Sequence, residues 1–251
     1  RAGGTWATAQ KLMNAVRGVE LHTATFLKTC STVRDQLTRF GVSETVAAEL
    51  VKAWLVNDDF LLAEIDGSFD VVAGNPPYVR QERIPDALLT TYKRRFKTLY
   101  DRADLYILFY ERGLDLLTPN GVLGYICANR WVKNKYGGPL REKIAAGFRL
   151  KFFVDLERAD AFHTEVIAYP AITVLQRGKA GTTHVSLDNR HTASGLDVVV
   201  AEMLKAEAGA ESSGVATTPV VPLERDPWLL DAPGIVTLIR RLEADFPTLE
   251  E

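Results

Sequence analysis

The stretch SFDVVAGNPPYVRQERI, residues 68–84, decides how the rest of the chain is read. A short apolar run, FDVVAG, ends on Gly74 and passes directly into Asn75-Pro76-Pro77-Tyr78. Two consecutive prolines offer no backbone N–H, fix their own φ, and push the residue before each of them into extended backbone. A strand ladder therefore stops here, on a rigid turn. Taken alone, Asn-Pro is a common way to open a loop. At the carboxyl end of a buried strand, the same turn holds an amide and an aromatic ring where open α/β sheets bind their ligands. The surrounding sequence has to decide between the two readings.

Working outward, GVLGYICAN, LKFFVDL and AITVLQR are apolar runs bounded by turn or charged residues, and they read as buried strands. AVRGVEL and AWLVNDD are weaker strands that precede the turn. Helical spacing covers residues 23–40, 44–54, 104–117 and 138–146, with Ser43 placed as a cap and Pro119, Asn120 and Gly121 expected to end the third helix. Strands alternating with helices predict an α/β fold with a mostly parallel sheet covered on both faces. The last two strands have no helix between them and are expected to pair antiparallel at an edge. Beyond Gly178 the composition shifts to Ala, Gly, Ser and Thr, which predicts a boundary and then a linker region.

With 251 residues and a net charge of −2, the chain does not have the composition of a general polyanion binder, so a nucleic-acid role needs a local basic surface. Residues 78–102 supply one. Arg80, Arg83, Lys93, Arg94, Arg95, Lys97 and Arg102 alternate there with Tyr78, Tyr92, Phe96 and Tyr100. A solvated helix face explains the same pattern equally well. Cys30 and Cys127 give neither a disulfide framework nor a zinc site, and His22, His163, His184 and His191 have no metal-ligand spacing, so no metal is expected. No apolar run approaches the length of a membrane span and no signal peptide is visible, so the expected location is the cytoplasm. The first residue is Arg, and the chain reads as a piece of a longer protein with parts missing upstream and downstream.

Two further features join the turn. Glu20 follows AVRGV, where nucleotide-binding α/β folds place a carboxylate on ribose hydroxyls, and Asp59-Phe60 follows the next strand. The whole run NDDFLLAEIDGSFDVVAGNPPY, residues 57–78, resembles the segment of TaqI-type DNA adenine-N6 methyltransferases that carries an acidic-aromatic pair and a catalytic NPPY. DLYILFYERGLDLLTPNGVLGYICANRWV is similar to that family's next helix and strand, and ADAFHTEVIAYPAITVLQRG to its later strand. The likeness covers roughly residues 5–178 and is strongest to single-chain restriction-modification and phage-defence methylases.

The resemblance implies a Rossmann-like S-adenosylmethionine-dependent methyltransferase fold and double-stranded DNA as the substrate. Glu20 would bind the cofactor's ribose, and Asp59 and Phe60 its adenine. Asn75 and the Pro76 carbonyl would accept hydrogen bonds from a target adenine's amino group, with Pro77 stiffening the turn. Tyr78 would stack on that base and Phe162 would stack from the other side. Arg80, Arg83, Lys93, Arg94 and Arg95 become the DNA-contact candidates. The chain departs from the family in two places. FHTEV is one residue short after Phe162, and the first strand with its glycine-rich turn is missing. The resemblance therefore implies a partial catalytic domain over residues 1–178, inactive in isolation, followed by a linker and the start of a target-recognition region over 179–251. An NPPY enzyme acting on RNA or on a protein glutamine, and a non-catalytic DNA-binding module, remain as alternatives.

Overall fold

The structure, a computed structural model, describes residues 10–156, 170–186, 195–218, 221, 225–231 and 233–246. It divides into two compact units, Arg1–Gly67 and Ser68–Glu251.

In the first unit, β1 (Gly18–Glu20) is followed by α1 (Thr23–Arg39), α2 (Glu44–Trp54) and β2 (Leu55–Asn57). The strands pair parallel with Glu20 opposite Asn57, which the two intervening helices make possible. On α2, Val46, Ala47, Leu50 and Val51 repeat at helical spacing and are all buried. Ser43 sits at the N-cap with extended backbone, but its side chain makes no capping bond.

The second unit contains β3 (Phe69–Gly74), α3 (Asp86–Arg95), α4 (Tyr106–Asp115), β4 (Leu117–Ala128), α5 (Gly138–Gly147), β5 (Phe148–Asp155), β6 (Pro170–Arg177), β7 (Thr183–Ser186), α6 (Leu196–Glu207), β8 (Val215–Thr218) and α7 (Pro233–Asp245). Its strands form one six-stranded sheet in the order β3-β4-β6-β5-β7-β8. β3–β4 and β5–β7 are parallel and the other pairs antiparallel, so the sheet is mixed.

Three expectations change here. β6 is antiparallel, but it lies inside the sheet rather than at its edge, because it pairs along its length with β4 on one side and β5 on the other. That position satisfies its backbone groups on both sides. The outer side of β5 is taken by β7 and then β8, both from the stretch whose composition predicts a linker. Pro119–Gly121 does not simply close a helix. Phe69 pairs with Leu117 and Val71 with Val122, so residues 118–121 bulge out of β4, with Asn120 at φ 65°.

Both faces of this sheet are covered. On one, Tyr106, Ile107, Tyr110 and Leu114 of α4 and Leu140 and Ile144 of α5 pack against Leu123, Tyr125 and Cys127 of β4 and Leu175 of β6. On the other, Met203 of α6 meets Val154 and Leu156, with Phe152 and Ile172 beside them. A register shift between Leu150 and Phe152 re-aims β5, so that Phe153 joins the first face and Phe152 and Val154 the second.

Candidate active site

In the first unit, the carboxyl ends of β1 and β2 present the residues expected to hold a cofactor. One Glu20 oxygen accepts the His22 N–H at 2.8 Å. The Asn57 side chain ties the two strand tips together, donating to the carbonyls of Glu20 at 2.7 Å and Leu21 at 3.1 Å and accepting from the Thr23 hydroxyl at 2.9 Å. Asp59 shapes the turn that follows, since its Oδ1 accepts the Leu61 N–H at 2.8 Å while its carbonyl accepts from Leu62 and Ala63. Phe60 is half-buried next to it. Glu20 and Asp59 thus stand at the ends of two adjacent parallel strands, a donor-accepting pair that suits ribose hydroxyls and an adenine amino group. Asn57 is the residue that sequence reasoning missed. Its signal was an amide in the last position of a strand.

In the second unit, β3 delivers Asn75-Pro76-Pro77-Tyr78 at its carboxyl end, level with the end of β4 through the Gly74–Tyr125 pairing. The approach is close, since a Cβ on Gly74 would meet the Tyr125 ring at 3.3 Å. Asn75 and Pro77 are exposed, Pro76 is buried, and Tyr78 keeps 40 % of its surface. The Pro76 carbonyl faces the buried Cys127 thiol, S to O 3.9 Å. Burial pushes that thiol up to about 12, so it remains a weak donor. A carbonyl has two lone pairs, and one weak thiol contact leaves it able to accept again. Burial, with Cys127 close by, also raises the Tyr78 phenol to about 12 and keeps it neutral. Past the turn, the Leu105 N–H donates to the Val79 carbonyl at 2.8 Å and fastens the segment to the start of α4.

Next to this turn is a second polar group that the sequence did not announce. Asp104 is half-buried, and its carboxyl is raised by desolvation although the Arg80 and Arg130 charges and a Tyr136 hydrogen bond oppose that. The Tyr136 and Tyr106 hydroxyls are 2.9 Å apart.

The basic stretch resolves into two kinds of residue. Arg80, Arg83, Lys93, Arg94, Arg95, Lys97 and Arg102 are exposed, as a contact surface requires. Tyr92 and Phe96 are not available for stacking. They are buried and meet edge-on at 6.4 Å between centroids, anchoring the end of α3. The loop after α3 is fixed by Glu111, which is only 5 % exposed and accepts from Lys97 N, Thr98 N and the Thr98 hydroxyl. Phe162 lies outside the described residues. Among the described residues, no group of three or more His, Cys, Asp or Glu side chains is placed to hold a metal, and no helix is long and apolar enough to cross a membrane.

Residues 22–162 match the family described as Eco57I restriction-modification methylase. Over 249 residues the chain is 47 % identical to the type II methyltransferase M.PaeR7I of Pseudomonas aeruginosa, covering 96 % of this chain and 42 % of that protein. It is also 47 % identical over 250 residues to the type II methyltransferase M.XhoI of Xanthomonas vasicola, covering 97 % and 45 %. The chain therefore spans less than half the length of these relatives. Among solved structures, the M protein of the type I restriction enzyme EcoKI superposes with a TM-score of 0.51 at 12 % identity, over 75 % of this chain and 40 % of that one, a likeness of fold alone.

Proposed function

This chain belongs to the Eco57I restriction-modification methylase family, and from that premise we propose that it forms part of a DNA methyltransferase that modifies the exocyclic amino group of a flipped-out adenine in specific double-stranded DNA. S-adenosylmethionine supplies the methyl group as an electrophilic sulfonium. Glu20 accepts from its ribose hydroxyls and Asp59 from its adenine, beside the Phe60 ring.

The observation that carries this reading is the NPPY turn, with an exposed Asn75 next to a Pro76 carbonyl that keeps a lone pair for a second donor. An adenine amino nitrogen is a poor nucleophile because its lone pair is delocalised into the ring. Two acceptors held at a fixed angle, the Asn75 amide oxygen and the Pro76 carbonyl, draw the amino hydrogens out of conjugation and favour a tetrahedral nitrogen. Its lone pair then points away from the ring. This is positioning and preorganised electrostatics, with no general base. The neutral Tyr78 ring stacks on the extruded base and offsets part of the unstacking, which costs roughly a few kcal/mol. Phe162 is assigned the opposite face of the base. Arg80, Arg83 and the α3 cations hold the duplex.

The test is nucleoside mass spectrometry on DNA from cells expressing the full-length gene or its Asn75→Ala variant. N6-methyladenine that appears with the parent and disappears with the variant supports the reading. Its absence from the folded, expressed parent sinks it. Labelled-methyl transfer to RNA or to a protein glutamine then becomes the question, since the same turn serves any conjugated amino group.

A further inference from the structure

The end of the sheet that carries the NPPY turn also carries a second rigid loop. β4 leads directly into Asn129-Arg130-Trp131-Val132-Lys133-Asn134-Lys135. The paired strands end with Gly74 opposite Tyr125, so the NPPY turn and the loop leave the sheet at the same end. The contact between Cys127 and the Pro76 carbonyl fits that register. Adjacent strands lie about 4.8 Å apart, so the loop starts beside the turn.

Two residues of the loop are anchors. Trp131 is fully buried, 5.5 Å from the Tyr110 ring and 5.5 Å from the Trp228 ring. Val132 is buried too, and its carbonyl accepts the Trp228 N–H at 3.0 Å. The backbone is then held by Arg141, whose side chain is 1 % exposed and donates to the carbonyls of Trp131, Asn134 and Arg225. Gly137 closes the loop where a Cβ would collide with the Trp131 carbonyl. Burying a guanidinium is expensive, and here three carbonyls and the nearby Asp226 charge offset only part of that cost. A loop that only had to stay soluble would not need it.

The arrangement displays polar and cationic side chains in a fixed frame. Asn129, Arg130, Lys133 and Asn134 line a cavity of about 410 Å³ whose other wall includes Phe153 and Asp155 of β5. Arg130 is also drawn toward the Asp104 carboxylate, which it shares with Arg80. The rim borders the NPPY turn, within reach of the sugar-phosphate backbone that flanks a nucleotide held there.

We propose that the loop Asn129–Lys135 is a phosphodiester clamp, in which Arg130 and Lys133 hold the DNA backbone beside the nucleotide engaged by the NPPY turn. The proposal rests on the DNA-adenine reading above and adds a binding element outside the basic stretch 78–102. It explains why rigidity extends past β4: a phosphate held in a fixed place sets where the extruded base lands.

The experiment uses the full-length protein with Lys133→Ala, Arg130→Ala and Lys133→Arg. Affinity is measured by anisotropy between 50 and 200 mM salt on a duplex carrying the site that the parent methylates, and on a matched duplex lacking it. Each alanine variant is expected to bind both duplexes about eightfold more weakly near 0.1 M salt, with a salt slope shallower by about 0.9. Lys133→Arg keeps the slope, and thermal melting of Lys133→Ala is unchanged because the side chain is exposed. A folded Lys133→Ala with the parent's affinity and slope overturns the clamp, as does a parent that binds no DNA. Asn75→Ala, assayed in parallel, separates the two claims. It should keep the slope and lose methyl transfer, and retained transfer would refute the adenine site while leaving the clamp to be judged on its own slopes.

Discussion

Glu207 gives the sharpest stability prediction. At the end of α6, its carboxylate accepts two hydrogen bonds from Arg149, at 3.0 and 2.7 Å, and an ion pair from Lys151 at 3.1 Å. The His184 Nε2 lies 3.0 Å from Oε2. A carboxylate only accepts, so Nε2 carries the proton and the other ring nitrogen takes the Thr217 hydroxyl at 3.0 Å. This network joins α6 to β5, β7 and β8. Desolvation pushes the carboxyl up, but the hydrogen bonds and charges of Arg149 and Lys151 outweigh it and hold Glu207 at about 2 instead of 4.5. That difference corresponds to at most roughly 3 kcal/mol. Screening at a side chain that is 25 % exposed brings the expected contribution to about 2 kcal/mol. Because the folded-state value is depressed, the stabilisation is complete above about pH 4.5 and is lost as pH falls through about 2. Glu207→Gln should therefore lower stability by about 2 kcal/mol in urea melts at pH 7. The gap between parent and variant should shrink to roughly two-fifths of that at pH 3. Equal midpoints at pH 7, or a gap that does not change with pH, would refute the idea that charge rather than shape holds α6 on the sheet.

Three other outcomes follow from the same structure. Glu111→Gln swaps a buried acceptor of three hydrogen bonds for an amide that turns N–H groups toward donors, and should cost about 2 kcal/mol, read as a melting temperature roughly 4–8 °C lower. Hydrogen exchange should rise at Lys97 and Thr98 before it rises in β4. Burial holds the Cys127 thiol at about 12, protonated throughout the working range, so in the full-length protein the Cys127 peptide should resist N-ethylmaleimide at pH 8, read by peptide mass spectrometry. Rapid labelling of Cys127 would mean that the thiol is not enclosed behind Pro76. Replacing Lys93, Arg94 and Arg95 together by alanine should weaken binding to any duplex by a similar factor and flatten the salt slope by about 2.7. A loss confined to the methylated site would instead make α3 a base reader.

The strands around the turn were legible because each is a short apolar run closed by a breaker, and β3, β4, β5 and β6 all fall where those runs predict. The order of the sheet was not. β6 follows β5 with no helix between, which a linear reading takes as an added edge, but the fold inserts it between β4 and β5. β7 and β8 were hidden because THVS and VATT are short and lie among Gly, Ala and Ser, and their strand state comes from pairing with β5 and with each other. Asn75, Tyr78, Glu20 and Asp59 were legible as candidates by type and by position at or just past strand ends. Asp104, Tyr136 and Arg141 did not, since their importance comes from partners tens of residues away, as when Arg141 reaches the Arg225 carbonyl. The roles of Tyr92 and Phe96 were hidden as well. An aromatic between lysines and arginines looks like a stacking platform until its burial is known.

The two elements of the second unit proposed to contact DNA differ in how firmly they are held, and that difference predicts a division of labour. α3 is fastened by Tyr92, by Phe96 and by the Glu111 contacts to its following loop, and its cations sit on long exposed side chains. The loop after β4 and the NPPY turn each leave one strand of the same hydrogen-bonded pair, so an error in one is carried by the other. Placement errors near 1 Å at a reacting group cost on the order of a hundredfold in rate. Contacts made through mobile side chains supply affinity without such precision. Variants of α3 in the full-length protein should therefore raise KM for DNA at nearly constant kcat. Lys133 or Arg130 variants should lower kcat as well, even at saturating DNA. If both sets moved only KM, the rigidity built into Arg141, Trp131 and Gly137 would serve folding rather than the placement of the base.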